Sequence, residues 1–250
     1  ATQDERLFYV SRMLLSGDQH EEIVRILEPL PATHRDYFPS RQQIVRSRLA
    51  IIRSSPADRQ PAMIAEALDY ARIAQDEATQ AIPSSTGDAA TTIEHVAGDL
   101  RILRAELLSL QGKRADAIEL LSNFEQDYTA YPDLIREALG RRIVLRAESG
   151  DLEAVRKEAS QMMQSFPDDA APIIDQVLTG MDHQIEQLRQ KIAAELVASQ
   201  KETLEKQVTA ISGSAEQLAR MLVEWAKNKG FNEDEMLPFQ LALGKSMRLA

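Results

Sequence analysis

Two glycine turns, 38 residues apart, constrain this chain more than any other feature. Gly112 sits in Gln111-Gly112-Lys113 and Gly150 in Ser149-Gly150-Asp151. Each separates two stretches whose apolar residues fall at helical spacing. The first turn has Ile102, Leu103, Leu107 and Leu108 before it and Ala117, Ile118, Leu120, Leu121 and Phe124 after it, closed by Tyr131-Pro132. The second has Leu139, Ile143, Val144 and Ala147 before it and Ala154, Val155, Ala159, Met162 and Met163 after it, closed by Phe166-Pro167. Helix, turn, helix, repeated at this period, predicts a stack of helix pairs, because one amphipathic pair cannot bury its own apolar face. Glycine supplies the tight turn, and the small Ala117 and Ala154 let the second helix of each pair sit close.

The remainder of the chain offers no competing pattern. Val, Ile, Tyr, Phe and Thr never gather into alternating runs, so no sheet is expected. The fold class is all-α, with about 70–80% helix against a base rate of roughly one-third. At 250 residues, 44% hydrophobic and 27% charged, the chain can bury the core of one or two domains. A net charge of −10 argues against a general nucleic-acid binder and against an anionic-membrane binder. No apolar run approaches the ~18 residues of a membrane span, so membrane insertion is not expected. The absence of cysteine excludes disulfides and thiolate metal sites, and suits cytoplasm and periplasm alike.

Taken in order, residues 3–30 read as a helix pair, with Leu7, Val10, Leu14 and Leu15, then Ser16-Gly17-Asp18, then Ile23, Ile26, Leu27 and Leu30. A helix is expected from an N-cap at Ser40, and another from Pro61 to about Ala81. Residues 82–90 read as a polar linker. Beyond residue 168 the rows Ile173, Val177, Met181, Ile185 and Leu204, Val208, Ile211, Ala215, Leu218, Leu222 keep helical phase across Gly180 and Gly213. They predict a hairpin of two long helices turning near residues 196–200, with a capping box at Ser199 and Glu202. The rival reading breaks the chain at both glycines. Gly230 ends the hairpin, and Glu233-Asp234-Glu235 open a last helix with Leu237, Leu241, Leu243, Met247 and Leu249. That helix reads as half of a further repeat, so the chain is expected to be part of a longer one.

The glycine turn with a small residue about five positions on resembles the tetratricopeptide repeat, over residues 101–167. The resemblance implies a right-handed α-α superhelix of antiparallel helix pairs over residues 1–168. Residues 169–250 would add the long hairpin and the half repeat. It also implies that first helices line a concave groove while second helices face outward. The function expected from such a stack is a non-catalytic protein-interaction scaffold that holds a partner peptide or domain on its concave face. The alternative is a regulatory or sensor segment of a larger protein.

Catalytic and metal motifs are not found in the sequence. His20, His34, His95 and His183 stand in separate elements without metal-ligand spacing. Gly244-Lys245-Ser246 matches the end of a phosphate-binding loop, but Phe239 occupies the upstream glycine position. No catalytic residue and no cofactor is therefore expected. Charge does carry information, because arginines favour first helices and acids favour second ones. Arg46, Arg48, Arg101, Arg104, Arg141, Arg142 and Arg146 are the candidate partner-binding residues, suited to forked recognition of an acidic segment. Arg141 and Arg142 differ by ~100° around a helix, so not all seven can face one way. The alternative is that these arginines pair with acids on neighbouring helices.

Overall fold

The computed structural model describes residues 19–194 and 198–232, with Met236, Gln240, Leu241, Leu243 and Gly244 beyond them. Among the described residues 84% are helical and none is in a strand. The chain divides into two compact units, residues 1–138 and 139–250. This division falls within a helix, and the helices on either side of residue 168 share one core.

The first unit holds α1 (His20–Leu27), α2 (Tyr37–Ser54), α3 (Gln60–Ala81), α4 (Gly87–Leu110), α5 (Arg114–Leu120), α6 (Phe124–Asp127) and the start of α7 (Pro132–Ser149). The first half of the expected 3–30 pair lies outside the described residues, and α1 is its second half. Helix α2 begins three residues ahead of the expected cap. Ser40 lies inside it, with its hydroxyl donating back to the carbonyl of Asp36 at 2.7 Å. The expected linker shrinks to a 3-10 turn, Ile82–Ser84, and two further residues. Gly87 starts α4 at φ +58°, and Asp88 with Ala89 and Ala90 continues it as favourable first-turn residues.

Helix α3 turns Ala67, Ala71, Ala74 and Ala78 into the core, all nearly fully buried. This small-residue row lets α2 and α4 close in around Ile64, and α2 and α4 also pack directly on each other. Val45, Leu49 and Ile52 of α2 meet Val96, Leu100, Leu103 and Leu107 of α4 in one apolar cluster. Each such side chain, fully buried, contributes about 1.5–3 kcal/mol.

The expected second helix of the next pair is split. Helix α5 stops at Leu120, residues 121–123 form a turn, and α6 restarts at Phe124. The cause is tertiary: Arg101 on α4 donates from Nε to the carbonyl of Leu120 at 2.5 Å, the group that a continuing helix would bond internally.

The second unit holds the rest of α7, α8 (Leu152–Ser165), α9 (Pro167–Ala194) and α10 (Ala198–Asn228). Helix α9 begins at Pro167, which leaves Asp168 and Asp169 in its first turn and Pro172 inside it. Gly180 and Gly213 lie within α9 and α10, so the long-hairpin reading stands and the broken one falls. Ile174, Val177, Met181 and Ile185 pack against Ile211, Ala215, Leu218 and Leu222. The connection at residues 195–197 lies outside the described residues, and α10 opens at Ala198, one residue before the expected cap. Gly140 marks a close crossing, since a Cβ there would lie 2.8 Å from Ile173 Cδ1 on α9. Met236 is buried in the second unit's core and Leu243 packs on it, whereas Leu241 is 57% exposed. Leu237, Met247 and Leu249 lie outside the described residues.

The three glycine turns share one geometry. At φ +83°, Gly112 donates to the carbonyl of Ser109, and Lys113 to that of Leu108. Gly150 at φ +77° and Asp151 repeat the pattern on Ala147 and Arg146, and Gly230 at φ +78° and Phe231 repeat it on Lys227 and Ala226. These are Schellman ends, in which a left-handed residue returns the chain onto the last carbonyls of the helix.

Candidate functional site

The arginines on first helices bind carboxylates across a helix seam, backbone carbonyls at a helix end and, at Arg104, a side-chain amide oxygen. In the first unit Arg46 of α2 grips Asp99 of α4 side-on, Nε to Oδ2 at 3.2 Å and Nη2 to Oδ1 at 2.5 Å. Asp99 is 1% exposed, while the Arg46 side chain is 49% exposed. One heptad on, Arg53 binds the buried Glu106 with the same offset of 53 residues. Both helices thus stay in register over two turns. Burial lowers the Arg46 pKa, but the charge and hydrogen bonds of Asp99, with the charges of Glu137 and Glu106, outweigh it and leave it raised.

Arg48 points elsewhere. It donates to Glu66 of α3 at 2.9 Å and to Glu28 at 3.1 Å, with its guanidinium 4.5 Å from the centre of the Tyr70 ring. Arg101 adds an ion pair to Asp127 at 2.5 Å to its bond on Leu120, and lies over the Phe124 ring. Arg104, one turn along α4, donates to the side-chain carbonyl of Gln75 on α3 at 2.7 Å.

In the second unit Arg142 is buried and donates from Nε to Oε1 of Glu158 on α8 at 2.7 Å. Arg146 donates to the same oxygen at 2.9 Å and to Asp151 at 2.8 Å. Asp151 also caps α8 by accepting from the amide of Ala154. Arg141 is half-buried on α7. Of the seven candidates, Arg46, Arg48, Arg101, Arg142 and Arg146 are thus held by carboxylates of other elements.

Arg41 carries a role that the sequence reading did not assign. It is 7% exposed and donates from Nη2 to the carbonyls of Leu27, Glu28 and Leu30, the C-terminal end of α1. Nη1 donates to the Tyr70 hydroxyl at 2.8 Å, and the guanidinium lies 4.5 Å from the Tyr37 ring centre. A cation here answers both the orphan carbonyls and the negative end of the helix dipole. No local signal could have exposed this, since the partners lie 11 to 14 residues upstream and 29 downstream.

The histidines join local networks. His34 accepts from the amide of Asp36 at 3.1 Å, and His183 lies 2.8 Å from Gln187. His95 and Asp133 meet at 2.8 Å across 38 residues, one repeat period. Beside them the Tyr131 hydroxyl lies 2.8 Å from Glu94 Oε2, and burial first, then Glu94, pushes its pKa up to about 12.

Two open grooves have mixed linings. One, of about 320 Å³, lies among Val24, Ile51, Ile52 and Met63 with Glu21, Glu28, Arg48 and Glu66. The other, of about 420 Å³, is lined by Met163, Met221, Glu224, Lys229 and Trp225, whose indole N–H donates to the carbonyl of Met163 at 3.2 Å. No described helix is long and apolar enough to cross a membrane. No protein-family model and no curated protein sequence matches the chain.

Proposed function

We propose that this chain is a non-catalytic interaction scaffold: a tetratricopeptide-like, right-handed superhelix of antiparallel helix pairs that binds a protein or peptide. The observation that carries this reading is the direct packing of α2 on α4, helices two apart in the chain. Their seam is locked by Arg46–Asp99 and Arg53–Glu106 at one constant offset. A stack of pairs grows by laying each first helix beside the next first helix in fixed register, and that offset is such a register. The recurring Schellman turns at Gly112 and Gly150 and the alanine row of α3 support the same reading. A stack of this kind presents a long surface without further machinery, and the side chains of Arg46 and Arg53 stay about half exposed.

Panning a displayed peptide library against the chain at low salt, with hits measured by calorimetry, tests the reading. The expected result is a shared sequence pattern among hits that compete with one another, at affinities of micromolar order or about −8 kcal/mol. If no displayed peptide binds more tightly than ~1 mM, the scaffold reading fails.

A further inference from the structure

The open groove of the first unit carries an unbalanced charge. Three carboxylates, Glu21, Glu28 and Glu66, border it, and one cation, Arg48, answers them. Arg48 is committed: its side chain is 16% exposed, its guanidinium lies against the Tyr70 ring, and it donates to Oε1 of Glu28 and Oε1 of Glu66. Both glutamates stay outward, 53% and 74% exposed, and among the described residues nothing donates to either Oε2. Glu21 is exposed, and its carboxylate has no hydrogen-bond or ion-pair partner among the described residues. Three carboxylates less one guanidinium leave two negative charges in the groove. A neighbouring groove shares Glu21 and Ile51 and adds Glu22, which is paired with Arg25, so the imbalance is not made up alongside.

The spacing of these acids sets the shape of their complement. Glu21 in α1 and Glu28 at its C-terminal cap stand seven residues apart, which places them about 10 Å apart along one side of the helix, with Val24 between. Val24, Ile51 and Met63, all half-buried, and the buried Ile52 supply the apolar surface. Along α1 the groove thus reads acid, apolar, acid. A cation whose stem lies on apolar surface meets these carboxylates in a lower dielectric than bulk water, and finds no uncommitted arginine to repel it. We infer that this groove docks an amphipathic helix of a partner polypeptide, bearing two basic residues seven apart and an apolar residue between them. That pattern lays one basic side chain against Glu21, the other between Glu28 and Glu66, and the apolar one against Val24 and its neighbours. The inference rests on the scaffold reading and moves its contact from the arginines of α2 and α4 to the carboxylates of α1 and α3. It also reverses the partner's charge from the acidic segment expected from sequence to a basic one.

The probe is an alanine-based helical peptide, blocked at both ends, with a leucine three residues after one lysine and four before another. It is titrated into the full chain at low salt by calorimetry. The expected result is saturable binding that weakens about threefold in Glu21→Gln and in Glu28→Gln, and about tenfold in the double variant. Affinity should also fall as salt rises. Glu119→Gln removes an exposed acid of α5 outside the groove and should leave the affinity within about 1.5-fold. Glu21 and Glu28 are exposed, and glutamine at 28 keeps an amide oxygen for Arg48, so the variants test binding without disturbing the core. No binding to the unmutated chain, a loss below about twofold in the double variant, or an equal loss in Glu119→Gln overturns the inference. Equal binding of a peptide with glutamate in place of both lysines overturns it as well. Self-association of the chain that the double variant abolishes, without peptide binding, gives the groove to a second copy and also overturns it. If library peptides bind but ignore the double variant, this site falls while the scaffold reading stands.

Discussion

In residues 19–138 helices of at most 24 residues meet across seams laced with charge, whereas in the second unit helices of 28 and 31 residues meet across an apolar row. The first arrangement sets register. A slip of one residue between α2 and α4 would part Arg46 from Asp99 and Arg53 from Glu106 together, and leave two buried carboxylates alone. The second arrangement supplies energy, since an apolar seam gains in proportion to its length. A helix of 31 residues, about 46 Å long, offers more than eight turns of it. Charged seams specify and apolar seams hold, and the balance shifts along the chain, although α2 and α4 also share an apolar cluster and Arg142 ties α7 to Glu158 of α8.

The largest test of that contrast is Leu218→Ala in the second unit. The side chain is fully buried in the hairpin core, and its loss should cost about 3 kcal/mol. Hydrogen exchange should then show protection falling first in residues 139–228. Equal loss in both units would contradict the division.

Arg41→Met in the first unit should cost nearly as much, about 2–3 kcal/mol, although it keeps the apolar stem. Three carbonyls and the Tyr70 hydroxyl lose their donor. Denaturant midpoints at unchanged slope would measure it, and a cost below ~0.5 kcal/mol would show that water replaces the guanidinium.

The Arg46–Asp99 pair should be lopsided. Arg46→Gln strands a buried carboxylate and should cost about 2 kcal/mol, while Asp99→Asn leaves an arginine that solvent can reach and should cost about 1. The reverse order, found in melts of the two variants, would mean that the charge is not what holds the seam.

Glycine substitutions should change sign between the two kinds of position. Gly112→Ala and Gly150→Ala force a side chain into a positive-φ turn and should each cost about 1 kcal/mol. Gly180→Ala and Gly213→Ala lie inside helices with open space around the new Cβ, and should each gain about 0.5–1 kcal/mol. Four melting curves decide the matter.

The smallest effect is a pH dependence in the first unit. Burial alone would raise the Asp133 pKa, but the hydrogen bond and charge of His95, with two backbone amides, lower it. A lowered folded-state pKa means that the stabilisation is present above the ordinary carboxylate value and is lost as pH falls through the lowered one. Because both groups are partly exposed, the contribution is a few tenths of a kcal/mol. Replacing His95 by glutamine should flatten the acid limb of stability by about that amount, and an unchanged limb would assign the shift elsewhere.

What was legible in the sequence follows the reach of the physics involved. The Schellman glycines at 112, 150 and 230 act through bonds three to five residues away, so their neighbours in sequence disclose them. The hairpin was legible because its apolar phase runs unbroken past Gly213 and outweighs one unfavourable residue. The break between α5 and α6 was not, since it depends on Arg101 arriving from 19 residues upstream. The same holds for the candidate site. That Arg46 is a strut is decided by an acid 53 residues away on another helix, and no local spacing encodes that. Arg104 and Arg46 look alike in sequence and differ in the partner that the fold brings to each, Gln75 to one and Asp99 to the other.

The place of Trp225 has a practical consequence. It is the chain's one tryptophan, it lies in the second unit with its indole tied to α8, and all five tyrosines lie in residues 1–138. Light absorbed by indole alone therefore reports the loosening of α10 from α8, and tyrosine emission reports the other unit. One sample without labels carries two colours of signal, and any delay between them during melting measures how far the two units depart from one cooperative transition.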